Sequence, residues 1–180
     1  MISRKLYQMT AGRPCRLIKP HGRPYLERYY LGQRWGWTAY LHRFVGADGD
    51  QGAHDHPWRR AFALCLAGGY QEERLQAFCT RSGWVDVLRQ VKAGRVNVLD
   101  GRDFHRIVQA RPETWTLFLH GPTWKGWGFL HKVEPDHAGR HTVVYHQPFE
   151  LTDGRPWWEN APTGAEAGRE PFTGDNHGRV

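Results

Sequence analysis

Bulky apolar residues alternate with polar or small ones in short runs along this chain, and each run closes at a turn bearing glycine, proline or aspartate. A two-residue period is that of a β-strand with one face buried. The pattern predicts a first strand at 25–31, a turn at 32–36, and a second strand at 37–45 that is rich in aromatic residues. A polar loop at 46–52 leads into a strand at His54–His56, which Pro57 ends or edges because it cannot donate to a ladder. In 61–70 the two faces differ sharply: Phe62, Leu64 and Leu66 are bulky, whereas Ala61, Ala63, Cys65 and Ala67 are small. That contrast fits a barrel wall packed on one side and roomy on the other. Residues 70–75 read as an exposed continuation. Further strands are predicted at 84–88, 91–99, 104–109, 115–120 and 141–146, with an aromatic flap at 124–130.

No internal repeat and no long amphipathic helix is evident. Many short strands with closely spaced turn signals predict an all-β sandwich or barrel. Residues 1–24 show no clean period and read as an irregular lead-in or an edge strand. The barrel is expected over 25–149. Residues 150–180 read as a C-terminal arm, anchored by Trp157 and Trp158 and partly disordered.

Composition refines this picture. The chain has 180 residues, enough for one domain with a core, and its nine Trp, eight Phe and seven Tyr offset a modest hydrophobic content of 39%. Three cysteines (Cys15, Cys65 and Cys79) include no Cys-x-x-Cys pair, which argues against a disulfide framework and for a reducing compartment. No apolar run approaches the roughly 18 residues of a membrane span, and 1–20 lacks the apolar stretch of a secretory signal. The chain is therefore read as cytoplasmic, with no membrane partner. A net charge of +7 attracts anions, but the arginines are scattered, so nucleic acid is not the expected partner and a small-molecule substrate is.

The chemistry centres on His54-Asp55-His56. Two histidines on one side of a strand can converge on a divalent metal. Eleven histidines in the chain make such a pair close to chance expectation, so its weight depends on what surrounds it. Glu72 and Glu73 read as exposed strand-end carboxylates, and Asp55 as a residue that holds a neighbouring loop. His42 reads as a strand histidine capped by a backbone group. Trp58, Trp124 and Trp127 are either core aromatics or the mouth of a pocket. No hydrolase nucleophile motif or phosphate-cradling glycine loop is present.

The spacing around this pair resembles the cupin superfamily. Its first motif joins His-x-His to a glutamate and then a glycine. Here His54-x-His56 is followed by Ala61 at the glutamate position and by Gly68 at the glycine. The second motif ends in a histidine and an asparagine, matched by His105-Arg-Ile-Val-Gln109 after the Asp100-Gly101 turn. The resemblance covers roughly 37–148. Motif details also look like a group of small bacterial and phage cupins carrying His-Asp-His-Pro-Trp. It implies a jelly-roll (double-stranded β-helix) barrel and metal ligands His54, His56 and His105. With Ala61 in place of the glutamate, it resembles the three-histidine sites of cysteine dioxygenase and related enzymes. The implied activity is an Fe(II) dioxygenase acting on a small anionic substrate. Alternatives are a Zn(II)-, Ni(II)- or Mn(II)-dependent isomerase or lyase, and a non-catalytic binding or structural protein. Substrate-binding candidates are Arg43, Arg59, Arg60, Trp58 and Gln109. By strand parity Arg106 faces away from His105. The resemblance also implies a homodimer.

Overall fold

The computed structural model describes residues 1–46, 52–79, 83–131, 137–139, 145–148 and 156–173. Most of the strand predicted at 141–146 and the disorder expected at the end of the chain lie outside these residues.

A helix, α1 (Ile2–Met9), opens the chain and is followed by twelve strands: β1 (Cys15–Ile18), β2 (Leu26–Arg34), β3 (Trp37–Phe44), β4 (Ala53–His54), β5 (Arg60–Ala67), β6 (Gly69–Cys79), β7 (Gly83–Lys92), β8 (Val96–Asp100), β9 (His105–Ala110), β10 (Thr114–His120), β11 (Gly128–His131) and β12 (Tyr145–Pro148). They form two six-stranded sheets, ordered β1-β2-β3-β10-β5-β8 and β12-β11-β4-β9-β6-β7, and every pairing is antiparallel. The fold is all-β, with two antiparallel sheets that share a core. Among the described residues no helix is long and apolar enough to cross a membrane.

Alternation builds the interior. On β5 the small residues Ala61, Ala63 and Cys65 are buried, and the bulky ones between them are half-exposed. One core cluster draws Tyr25, Leu26, Phe44 and Cys65 from the first half of the fold and Tyr70, Val91 and Ile107 from the second. Both sheets therefore supply the core.

The structure departs from the sequence reading in three places. The lead-in at 1–24 contains an edge strand, as one of its two readings had it, but also a helix that was not expected. The helix has no buried residue of its own; Leu6 and Tyr7 pack on the outer face of the first sheet beside Tyr29, Leu41 and Trp115. The β6 strand is longer than the exposed run expected at 70–75, and it lies between β7 and β9. The His54–His56 strand shrinks to the two residues of β4, because Pro57 breaks the ladder almost at once.

Residues 156–173 return across the first sheet. Trp158 stacks on Tyr30, with ring centroids 4.3 Å apart and planes 4° from parallel. The main fastening is Arg43, which faces outward from β3 and is only 2% exposed. It donates to both carboxylate oxygens of Glu113 at 2.6 and 3.1 Å, and to Glu27 at 3.2 Å. It also donates to the carbonyl oxygens of Glu170 at 2.6 Å and Pro171 at 2.8 Å. Glu113 in turn accepts from the Thr173 amide and hydroxyl. Arg43 is thus a structural clamp and not the substrate-binding residue expected: its strand parity turns it away from the barrel interior, and the protein's own carboxylates saturate it.

Burial opposes ionisation of Glu113, but its bonds to Arg43 and Thr173 more than offset this and hold its pKa below the ordinary glutamate value of 4.5. A depressed carboxylate pKa stabilises the folded state above that value, and the contribution is lost as pH falls through the folded-state value. Arg43→Met is expected to destabilise the protein at neutral pH by about 3–5 kcal/mol, because it strands two buried carboxylates. Urea unfolding from pH 7 to 3 should show the wild type losing more stability on acidification than Glu113→Gln.

Candidate metal centre

The short β4 strand places His54 between its neighbours, opposite Phe129 on β11 and His105 on β9. The chain then turns. The Asp55 amide donates to the Gly128 carbonyl at 3.1 Å, and the Asp55 carboxylate accepts from the Gly128 amide at 2.7 Å and pairs with Lys125. Asp55 therefore holds the neighbouring loop, as its parity implied, and its two flanking histidines fall on the other side. Gly101 packs directly beneath the carbonyls of Trp58 and His56, where a Cβ atom would collide with the Trp58 oxygen. No other residue fits that approach without moving the His56–Trp58 segment.

Three imidazoles meet as a result. The candidate ligand nitrogens of His54, His56 and His105 all lie within 4.8 Å of one another. The ring centroids are 5.1 Å apart for His54–His56, 4.9 Å for His54–His105 and 5.0 Å for His56–His105. The Nε2 atoms of His56 and His105 stand 2.8 Å apart. Two lone pairs that close repel unless a proton or a cation lies between them. Nitrogens bound at right angles to one ion at ~2.0–2.1 Å are about 2.8–3.0 Å apart, so the spacing fits a shared metal. Burial, followed by the charge of His105, pushes His54 and His56 well below the usual histidine pKa. Both are thereby kept neutral, the form that binds metal.

Behind His105 stands Glu72, which is 0% exposed and is not the exposed strand-end carboxylate expected. Its Oε1 lies 2.7 Å from His105 Nδ1, a contact set by charge and proximity more than by an ideal N–H direction. Arg74 donates to Glu72 at 3.1 Å and Asn97 does so at 3.1 Å. Burial alone would raise the Glu72 pKa; the contacts with His105, Arg74 and Asn97 outweigh it and keep the carboxyl ionised below its ordinary range. A carboxylate at Nδ1 favours the tautomer that turns the Nε2 lone pair toward the site.

The other expected site residues fall in different places. Trp58 stacks between His56 at 5.0 Å and His120 at 4.0 Å, forming one wall of the site. Trp127 and Phe129 flank His54 at 6.2 and 5.8 Å. Arg59 and Arg60 are exposed on the segment entering β5, and Gln109 is exposed near the end of β9. Ala61 is buried, level with His120 and Leu99 on the adjoining strands, so no carboxylate enters from that position. Arg106 faces away from the site and pairs with Glu73 at 2.6 Å. His42 is capped by a side chain and not by the backbone: Arg28 Nε donates to its Nε2 at 3.0 Å. Burial pushes His120 down to about 4, although its ring bonds the Gly121 carbonyl. Sequence reasoning took Glu72 for an exposed carboxylate and passed over Arg28, Asn97 and Thr116. Strand parity relative to His42 could have flagged Arg28, but Glu72 carried no local signal.

The histidines thus cluster where the end of β4, the segment after it and the start of β9 meet. No family model and no curated protein matches the chain. Among solved structures it is similar to KdgF from Halomonas sp., with a TM-score of 0.39 and 16% identity over 56% of this chain and 81% of that one. It is also similar to Fe(II) HppE, with a TM-score of 0.46 and 13% identity over 63% of this chain and 58% of that one. A third is oxalate decarboxylase from Bacillus subtilis, with a TM-score of 0.46 and 13% identity over 63% of this chain and 28% of that one. These similarities are distant, and the chemistry of the site rests on this chain's own residues.

Glu72→Gln preserves shape and removes the charge behind His105. It is expected to weaken metal binding about 10–100-fold with a native circular dichroism spectrum. Competition against a chromophoric chelator measures this, and His56→Ala in the same assay should retain no metal.

Proposed function

We propose that the chain is a metal-dependent cupin enzyme in which His54, His56 and His105 hold one divalent ion, Fe(II), and that it acts as a dioxygenase on a small anionic organic substrate. The observation that carries this reading is the convergence of three imidazoles, with the buried carboxylate of Glu72 placed behind His105 and that of Asp55 turned toward Gly128 and Lys125, so that neither is among the donors. Iron sites of two histidines and one carboxylate with open positions serve oxygenases; here a third histidine takes the place of the carboxylate. Neutral donors leave the ion its full charge, which favours an anionic ligand.

When bound, the ion would supply the Lewis-acid and redox chemistry that lets substrate and dioxygen react. Both oxygen atoms would enter the substrate, so no external reductant is required. The protein's part is placement and exclusion. Glu72 fixes the His105 ring, Trp58 covers one side of His56, and Trp127 and Phe129 shield His54. These aromatic walls limit water at the reacting centre.

Elemental analysis of untagged protein, followed by oxygen-electrode assays with small organic acids, tests the reading. Near-stoichiometric iron with substrate-dependent oxygen uptake is the expected outcome. Zinc, nickel or manganese with no oxygen uptake would favour the isomerase or lyase reading. Failure to bind any metal after reconstitution would sink both and leave a non-catalytic binding or structural protein.

A further inference from the structure

Across the barrel from the histidines, the first sheet carries a second polar group that the metal centre does not use. One cross-strand row runs from Arg28 on β2 through His42 on β3 to Thr116 on β10. Arg28 Nε donates to His42 Nε2 at 3.0 Å, so the single proton of the neutral imidazole resides on Nδ1. The guanidinium lies over the face of Tyr40, 5.3 Å from its centroid. Among the described residues no carboxylate pairs with Arg28. The Thr116 hydroxyl is enclosed, in a residue only 1% exposed, and has no hydrogen-bond partner.

This combination is costly as it stands. A half-buried cation that meets no carboxylate among the described residues and a buried hydroxyl without a partner there both give up hydration for little return. Arg43, on the opposite face of the same sheet, shows the alternative: it is met by two carboxylates. Burial, with the neighbouring Arg16 charge adding to it, also lowers the Arg28 pKa. The row joins the metal centre through a chain of ring contacts. His42 lies 4.8 Å from Phe118, Phe118 lies 5.5 Å from Trp58, and Trp58 lies 5.0 Å from His56.

We propose that Arg28, His42 and Thr116 form a subsite for a carboxylate and hold the anionic end of a small organic acid whose other end reaches the three histidines. The free Nη groups of Arg28, the Nδ1 proton of His42 and the Thr116 hydroxyl supply donors of the required kind. One guanidinium matches one negative charge and pairs bidentately with a carboxylate, whereas a dianionic phosphate would leave a second charge unmatched. The reach to the histidines rests on the metal-enzyme reading; the carboxylate subsite itself does not.

Acetate is the probe, titrated calorimetrically into the full-length protein as purified and again after chelation. Saturable binding that survives chelation is expected, with affinity falling at least about tenfold in Arg28→Met and several-fold in Thr116→Val. Without acetate, Arg28→Met should melt no lower than the wild type, because it removes a half-buried charge that no carboxylate among the described residues matches; an arginine with a purely structural role would show a lower melting temperature on removal. If Arg28→Met does not fold, Thr116→Val carries the test. The proposal is overturned if acetate does not bind, if Arg28→Met or Thr116→Val binds it as the wild type does, or if inorganic phosphate binds more tightly. Binding abolished by chelation would assign acetate to the metal and overturn it as well. Metal loading is measured separately, so loss of the three-histidine reading and loss of this subsite are distinguishable.

Discussion

A carboxylate cut off from water has to be matched on every side, and Glu72 imposes that demand on this barrel. Its partners come from three strands: Arg74 from its own strand β6, His105 from β9, and Asn97 from β8 in the other sheet. The bond to Asn97 crosses the seam between the sheets, and the contact with His105 sets a metal-ligand ring. Closure of the barrel and orientation of the site therefore depend on the same buried charge. Replacing such a group with apolar residues can cost little in stability. In this position it would also remove the group that orients His105.

The first sheet separates two arginines by parity. Arg28 and Arg43 sit on adjacent strands, one facing the barrel interior and the other facing the segment packed outside. Their surroundings are opposite. Arg43 is surrounded by acceptors and locks the outer layer in place. Arg28 has an imidazole and an aromatic face but, among the described residues, no anion of its own. The same side chain is thus a fastening on one face of the sheet and an unfilled donor on the other.

Much of the barrel was legible because its signals are local. Alternation on β3, β5 and β10 marks strands whatever lies across from them, and the spacing of His54, His56 and His105 carries over directly into their convergence. Other features depend on residues far along the chain. The burial of Glu72 reflects Asn97 and His105, more than twenty residues away, so a run of polar residues after Gly68-Gly69 looked exposed. Arg43 looked available because β3 is buried on both faces, and only the returning C-terminal residues reveal which face is saturated. The α1 helix does place Ile2, Leu6 and Met9 at helical spacing, but eight residues are too few for that period to stand out, and the helix rests on the sheet through little more than Leu6 and Tyr7.

The manner in which Arg43 holds the chain has an evolutionary corollary. It grips the main-chain oxygens of Glu170 and Pro171, and Glu27 and Glu113 accept from the amides of Glu170 and Thr173. Main-chain groups are the same whatever side chain they carry. Around Glu170 and Pro171 the strap is therefore recognised by its path, whereas Trp158, Arg169, Phe172 and Thr173 add contacts of their side chains. Substitution at Glu170 is tolerated, while insertions or deletions that shift the register are not.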